Sequence, residues 1–298
     1  MTGSTVSNDG NVTNNNGNND AWILKLNANG DIEWQKTYGG SSSDNLVNIK
    51  QTTDNGYIAI GFTYSNDGNI VNNKGYSDVW IIKIDASGNL EWSKAFGGNA
   101  SDGLADIQQT TNGGYLTVGV TQSTDGWSDY LVIKLQTNGN LEWQKTYGSI
   151  YTDIASCIQK TNDGHYILVG YTNSNDGSTI NQNGNSDALF IKTDNLGNIL
   201  KQTTVGTNGV DVANNILQTH DNNFLISGYS RNVISNIDNI SIVALDADCN
   251  LLWQRQIPQS TNDSYAKAIF ETPDCGYILF GSKTNQNGLN DILIIKLK

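Results

Sequence analysis

The segment Gly88-Asn89-Leu90-Glu91-Trp92-Ser93-Lys94 decides the fold, because it recurs. Upstream it stands as Gly30-Asp31-Ile32-Glu33-Trp34-Gln35-Lys36, and downstream as Gly139-Asn140-Leu141-Glu142-Trp143-Gln144-Lys145. It returns weakened as Gly197-Asn198-Ile199-Leu200-Lys201-Gln202, then as Cys249-Asn250-Leu251-Leu252-Trp253-Gln254-Arg255. The intervals are 58, 51, 58 and 52 residues. Self-similarity at that period is the mark of a repeat architecture.

Each repeat holds four short runs of strand character. In one copy these are A (104–110), B (115–121), C (130–135) and D (141–147). Runs this short between turn clusters suit strands and not helices. The A–B connections, such as Asn55-Gly56, Gly113-Gly114 and Asn222-Asn223, offer the positive φ that two-residue hairpins need. Strand C is nearly continuous in apolar residues, as in Val79-Trp80-Ile81-Ile82, Leu131-Val132-Ile133 and Ile292-Leu293-Ile294-Ile295. A strand apolar on both faces must be covered on both. Strand B carries a glycine at one fixed place (Gly61, Gly119, Gly170, Gly228, Gly281), which predicts a bulge or a close backbone approach between blades.

Four strands per repeat of about 50 residues predict an all-β propeller of four-stranded antiparallel blades. The favoured count is five, closed by pairing Ile32–Tyr38 with the last strand and leaving Trp22–Leu26 surplus. A six-bladed or open arrangement, truncated at its start, is the alternative. The whole of 1–298 then forms one domain. Residues 1–30 are a partial B–C hairpin of an incomplete repeat, followed by units of about 31–88, 89–139, 140–197, 198–249 and 250–298.

Composition agrees with a β fold. Asn, Gly, Ser and Thr are abundant, and only four Glu occur. The formal charge of −12 disfavours nucleic acid and anionic membranes as partners. No apolar stretch approaches the roughly 20 residues that span a bilayer, so membrane insertion is not expected. The polar start, Met1-Thr2-Gly3-Ser4-Thr5, has no signal-peptide pattern. It reads as an interior piece of a repeat, which suggests an incomplete gene product.

The run Ser65-Asn66-Asp67-Gly68, Asp78-Val79-Trp80-Ile81-Ile82-Lys83 and Gly88-Asn89-Leu90-Glu91-Trp92, continuing through Phe96-Gly97-Gly98, Asp102, Gln109-Thr110-Thr111 and Gly114-Tyr115, resembles the Asn/Gly-rich repeats of secreted bacterial propeller proteins. Those often carry a type IX secretion sorting domain, which this chain lacks. The turn-plus-Trp part is also similar to the tryptophan-docking motif of quinoprotein-like propellers. Lys201 departs from it. The resemblance implies an extracellular or cell-surface location and a binding or scaffolding role; a monomeric domain of a larger protein is the expected state.

Two acidic sets stand out. Asp44, Asp102, Asp153, Asp211 and Asp263 each precede or open strand A, the innermost strand. They are expected either to cap their own D–A loops or to form a ring of carboxylates that holds a cation, with calcium the candidate. No other cofactor is expected. Asp20, Asp78, Asp129, Asp187 and Asp291 open strand C, where they read as turn formers or outer cation ligands. Trp34, Trp92, Trp143 and Trp253 are expected to pack between blades. Trp127, flanked by Asp125 and Asp129 in a short B–C loop, is the candidate for contacting a carbohydrate or protein ligand.

Catalysis finds little support. His165 and His220 read as turn variants, and no nucleophile–base pairing is visible. The paired acids of glycoside cleavage need distinct environments, which repeated Asp residues do not suggest. Cys249 and Cys275 leave a disulfide open, and Cys157 reads as a small buried residue. The expectation is a non-enzymatic binding or adhesion propeller using the B–C and D–A loop face. A structural spacer within a larger surface protein, and a hydrolase or lyase, are the alternatives.

Overall fold

A computed structural model describes residues 1–12, 14–122, 126–148, 150–173, 184–258 and 262–297. Their regular structure is all β: 22 strands in six antiparallel sheets. No helix there is long and apolar enough to cross a membrane. The chain divides into two compact units, Met1–Thr146 and Tyr147–Lys298.

The first unit holds three sheets. Sheet 1 is β1 (Thr2–Thr5), β2 (Asp20–Leu26) and β3 (Ile32–Tyr38). Sheet 2 is β4 (Asp44–Gln51), β5 (Tyr57–Thr63), β6 (Asp78–Ile84) and β7 (Leu90–Phe96). Sheet 3 is β8 (Asp102–Gln109), β9 (Tyr115–Gln122), β10 (Ser128–Leu135) and β11 (Leu141–Tyr147), whose last residue crosses the boundary.

The second unit repeats the plan. Sheet 4 is β12 (Asp153–Lys160), β13 (Tyr166–Thr172), β14 (Asp187–Thr193) and β15 (Ile199–Val205). Sheet 5 is β16 (Val210–Gln218), β17 (Phe224–Arg231), β18 (Asp238–Leu245) and β19 (Leu251–Ile257). Sheet 6 is β20 (Ser264–Glu271), β21 (Tyr277–Thr284) and β22 (Asn290–Leu297). Each four-stranded sheet is a meander in the order A-B-C-D, the blade unit of a β-propeller.

The expected closure is corrected. β3 pairs with β2, placing Ala21 opposite Tyr38 and Trp22 opposite Thr37. Trp22–Leu26, expected to be surplus, is therefore part of the central strand of sheet 1. The hairpin between them spans five residues, with the Asn27 N–H donating to Asp31 O. So short a closure costs far less chain entropy than pairing with the far end of the sequence. Five four-stranded blades give way to four such sheets and two of three strands.

Strand C explains how sheets stack. Every residue of β6, β14 and β18 is buried. In the first unit Ile58, Ile60, Val79 and Ile81 of sheet 2 pack with Leu104, Ile107, Leu131 and Ile133 of sheet 3. On the other face of sheet 2, Trp80 and Ile82 join Ala21 and Ile23 of sheet 1. Each fully buried aliphatic side chain contributes about 1.5–3 kcal/mol relative to exposure. β22 departs from the expectation of double cover: Ile292 is 86% and Ile294 60% exposed. Only its other face, through Leu293, Ile295 and Leu297, packs against the cluster of sheets 5 and 6.

The strand-B glycines sit opposite a bulge in strand A. Gly61 faces Leu46 and Gly119 faces Leu104, and in each case the register slips at the next step. A methyl on Gly119 would lie 2.0 Å from the Gly103 carbonyl, and one on Gly61 1.9 Å from that of Asn45. The close approach is thus within one sheet, not between blades. The bulge tips the innermost strand and leaves no room for a Cβ.

The strand-D tryptophans of sheets 1 and 2 dock on the next sheet. Trp34 Nε1 donates to Ala86 O at 3.0 Å, and the Tyr38 hydroxyl donates to Gly88 O at 2.5 Å. The Trp34 ring lies over Gly88 and the Trp92 ring over Gly139, both glycines at positive φ. In the second unit the corresponding turn carries Cys249, at φ 61° and 1% exposed. A side chain there occupies the space an indole would need. Lys201 stands at the indole's place and reaches Asn250 Oδ1 at 3.4 Å. Cys157, Cys249 and Cys275 are all free thiols, so Cys249 and Cys275 remain unbridged.

Two outcomes follow for stability. Gly119→Ala is expected to cost about 1–3 kcal/mol by strain, whereas Gly103→Ala, whose methyl meets only Val120 Cγ1 at 3.8 Å, stays near wild type in urea unfolding. Lys201→Trp should destabilise the chain alone and be rescued by Cys249→Gly; strictly additive effects in that double-mutant cycle would contradict the docking account.

Candidate functional site

The densest polar chemistry lies where one sheet hands over to the next. An isolated parallel bridge joins the residue before strand C of one sheet to the residue before strand A of the following sheet, or to its first residue. The pairs are Asn19 with Ser43, Ser77 with Ser101, and Ser186 with Val210. The N–H groups of Asp44, Asp102 and Asp211 donate to the carbonyls of Asn19, Ser77 and Ser186 at 2.6, 2.9 and 2.7 Å. This bridge sets Asp20 beside Asp44, Asp78 beside Asp102 and Asp187 beside Asp211. All six are buried, between 0 and 5% exposed.

The strand-A member of each pair caps its own loop. Asp44 Oδ2 accepts from Gly40 N at 2.8 Å and from Ser65 Oγ at 2.7 Å, while Oδ1 accepts from Thr63 Oγ1. Asp102 Oδ2 accepts from Gly98 N at 3.0 Å, and Asp211 Oδ2 from Thr207 N at 2.6 Å. The strand-C member does the same for the preceding B–C loop. Asp20 Oδ2 accepts from Asn16 N at 2.7 Å and Asp78 Oδ2 from Lys74 N at 2.9 Å.

Their second oxygens differ. Asp20 Oδ1, Asp78 Oδ1 and Asp211 Oδ1 are buried with no hydrogen-bond partner. Burial raises the Asp20 carboxyl above its ordinary value; the Asn16 N–H opposes this, and the charge of Asp44 adds to it. Asp78 is raised in the same way, by burial first, against the Lys74 N–H and with Asp102. Among the described residues no three or more Asp, Glu, His or Cys side chains gather closely enough to share a metal. The strand-A carboxylates Asp44, Asp102 and Asp211 each lie beside a strand-C carboxylate of the preceding sheet.

The handover in the second unit from sheet 5 to sheet 6 is built differently. Arg231 donates through Nε and an η nitrogen to the two oxygens of Asp238, at 2.7 and 2.8 Å, and the Tyr265 hydroxyl adds a third bond at 2.9 Å. Asp263 Oδ1 accepts from Asp238 N at 2.9 Å. Asn239 occupies the register position held by Asp78 in sheet 2. Sequence reasoning passed over both Asp238 and Arg231. The signal was available, since Arg231 and Arg255 are the only arginines in the chain.

A second recurring group is the strand-C lysine. Lys83, 2% exposed in its side chain, lies 2.9 Å from both Asp54 and Glu91. Lys192 meets Asp163 at 2.8 Å, and Lys25 meets Glu33 at 2.8 Å. The Thr52 hydroxyl and the Lys83 ammonium hold the Asp54 carboxyl at about 2. Asp163 is held at about 2 by Lys192 and Thr161, against the opposing effect of burial.

The loop face also carries a groove of about 300 Å³ in the first unit, lined by Asn14, Asn16, Gln35, Lys36, Thr37 and Asn69. It lies between the B–C loops of sheets 1 and 2 and the end of β3. Trp127 is 43% exposed. Asp129 pairs opposite Thr121 with its Oδ1 buried, and Asp125 lies outside the described residues.

No protein-family profile matches the sequence, and no curated protein matches it. Solved structures do. A Dyadobacter fermentans protein of unknown function is similar at 13% identity and a TM-score of 0.57, over 96% of this chain and 86% of that one. Chaetomium thermophilum Sqt1 is similar at 11% identity and 0.52, over 94% and 67%. A Bifidobacterium bifidum protein described as an exo-β-1,3-galactanase is similar at 12% and 0.47, over 92% and 91%. The first two likenesses support the propeller class. The secretion-associated origin rests on the sequence resemblance alone.

The expectation of a non-enzymatic binding or adhesion domain is corrected here. Several matched structures are glycoside hydrolases, among them family-43 enzymes, an endo-arabinase and a β-xylosidase. The non-enzymatic and spacer readings are therefore not kept. At 9–12% identity and TM-scores of 0.41–0.47, they assign this chain no substrate and no catalytic residue.

The lysine pairs give a pH signature. A carboxyl near 2 in the folded chain and near 3.8 unfolded stabilises the fold fully above about pH 4. That contribution is lost as pH falls toward 2. The melting temperature should therefore drop over that window, and Lys83→Met should make the drop shallower. An acid limb unchanged by this variant would show that Asp54 contributes nothing through its lysine.

Proposed function

We propose that this chain is carbohydrate-active, engaging a neutral oligosaccharide in the amide-lined groove of its first unit. The observation that carries the reading is the lining itself. Asn14, Asn16, Gln35 and Asn69 bring four side-chain amides to its lining beside Thr37, with Gln35 Oε1 held by Trp22 Nε1 and Asn69 Oδ1 by the Gly39 N–H. Side-chain amides match the mixed donor–acceptor pattern of sugar hydroxyls. Lys36 is the one cation among the lining residues, set in a chain of net charge −12, which favours a neutral ligand over a polyanion. Loops held by rigid sheets are where such sites concentrate.

The test uses oligosaccharides of the kinds named for similarly folded enzymes: β-1,3-galactan, arabinan and xylan fragments. Calorimetric titration should show saturable binding to at least one, weakened ten-fold or more by Asn16→Ala with Lys36→Ala. A reducing-end assay on the same mixtures reads turnover: new reducing ends identify a hydrolase. Failure of all three to bind or turn over overturns the proposal.

A further inference from the structure

We propose that the sheet junctions at Asp20/Asp44, Asp78/Asp102 and Asp187/Asp211 each bind a divalent alkaline-earth cation. The inference is independent of the groove and rests on how the repeat treats the same place at different junctions.

Two of these junctions bring two buried carboxylates against a single glycine, and at the third the glycine meets the carboxylate of Asp187. A methyl on Gly39 would lie 2.4 Å from Asp20 Oδ1 and 2.9 Å from Asp44 Oδ2. On Gly97 it would lie 2.4 Å from Asp78 Oδ1 and 2.7 Å from Asp102 Oδ2. On Gly206 it would lie 2.1 Å from Asp187 Oδ1. The glycine ending strand D is thus part of the arrangement, since any side chain would displace the carboxylates.

The orphaned oxygens are the second observation. Asp20 and Asp78 are wholly buried, and in each Oδ1 lacks a donor while Oδ2 is satisfied by a loop N–H. Backbone carbonyls crowd the same place. A methyl on Gly17 would lie 2.5 Å from Gly40 O and 3.0 Å from Asp20 Oδ1; on Gly75 it would lie 2.6 Å from Gly98 O and 3.2 Å from Asp78 Oδ1. At the third junction Asp211 Oδ1 is also buried without a donor. An uncompensated carboxylate in the interior is costly, and two together more so. All-oxygen donor sets of this kind select hard cations such as Ca²⁺ or Mg²⁺.

The sheet 5 to sheet 6 junction supplies the internal comparison. There the glycine ending strand D is replaced by Pro258, the register Asp by Asn239, and a guanidinium covers both oxygens of Asp238, whose N–H donates to Asp263 Oδ1. Where the chain provides its own cation no oxygen of the acid is left over; where it provides none, one is.

The test is thermal unfolding of the full chain after chelation, followed by addition of CaCl₂ or MgCl₂. Chelation should lower the melting temperature by several degrees, and one of the two salts should restore it. Calorimetry should give three sites per chain. Asp78→Asn should leave two, and Asp20→Asn, Asp78→Asn and Asp187→Asn combined should abolish the response. If the triple variant does not fold, the stoichiometry of the single variant decides. Identical melting in chelator and in both salts, or an undiminished response in Asp78→Asn, overturns the proposal.

Discussion

The arrangement depends on one constraint: strand C is apolar on both faces. A single antiparallel sheet can cover neither face by itself, so a strand of this kind needs packing partners outside its own sheet. Sheet 2 shows the solution, with Ile81 turned toward sheet 3 and Trp80 toward sheet 1. The remaining recurring features serve that stacking. The strand-D indole fastens the turn of the following sheet, the strand-A bulge shapes the inner edge, and the parallel bridge ties successive sheets by backbone.

Stacking of this kind concentrates polar groups at the junctions, where loops from two sheets must pass each other without water. The chain answers with aspartates, whose short side chains accept the loop N–H groups and satisfy them. In Asp20 and Asp78, accepting from one N–H occupies one oxygen and leaves the second without a donor. The Arg231–Asp238 pair is one way of balancing that charge. The three glycine-bearing junctions call for another.

Much of this was legible in the sequence. The Gly-Asn-Leu-Glu-Trp period fixed the repeat, the Val79–Ile82 run fixed the doubly covered strand, and Gly61 and its equivalents announced a bulge. What could not be read was pairing across repeats. Ile32–Tyr38 is equally apt for β2 or for the last strand by pattern, and only the short Asn27–Asp31 turn favours the former. Likewise Asp20 and Asp44 lie 24 residues apart, and no periodicity reveals that a parallel bridge sets them side by side. The groove residues come from two B–C loops and one strand end, a combination with no linear signature. Lys201 looked like a lapse in the motif, until Cys249 gave it a steric reason.

Amide hydrogen exchange measured along the chain tests the stacking constraint most directly. The central strands β6, β14 and β18, covered on both faces, should exchange slowest, and β22, covered on one, markedly faster. Equal protection of β22 and β6 would mean that cover by a neighbouring sheet is not what stabilises these strands, and the stacking account would fail with it.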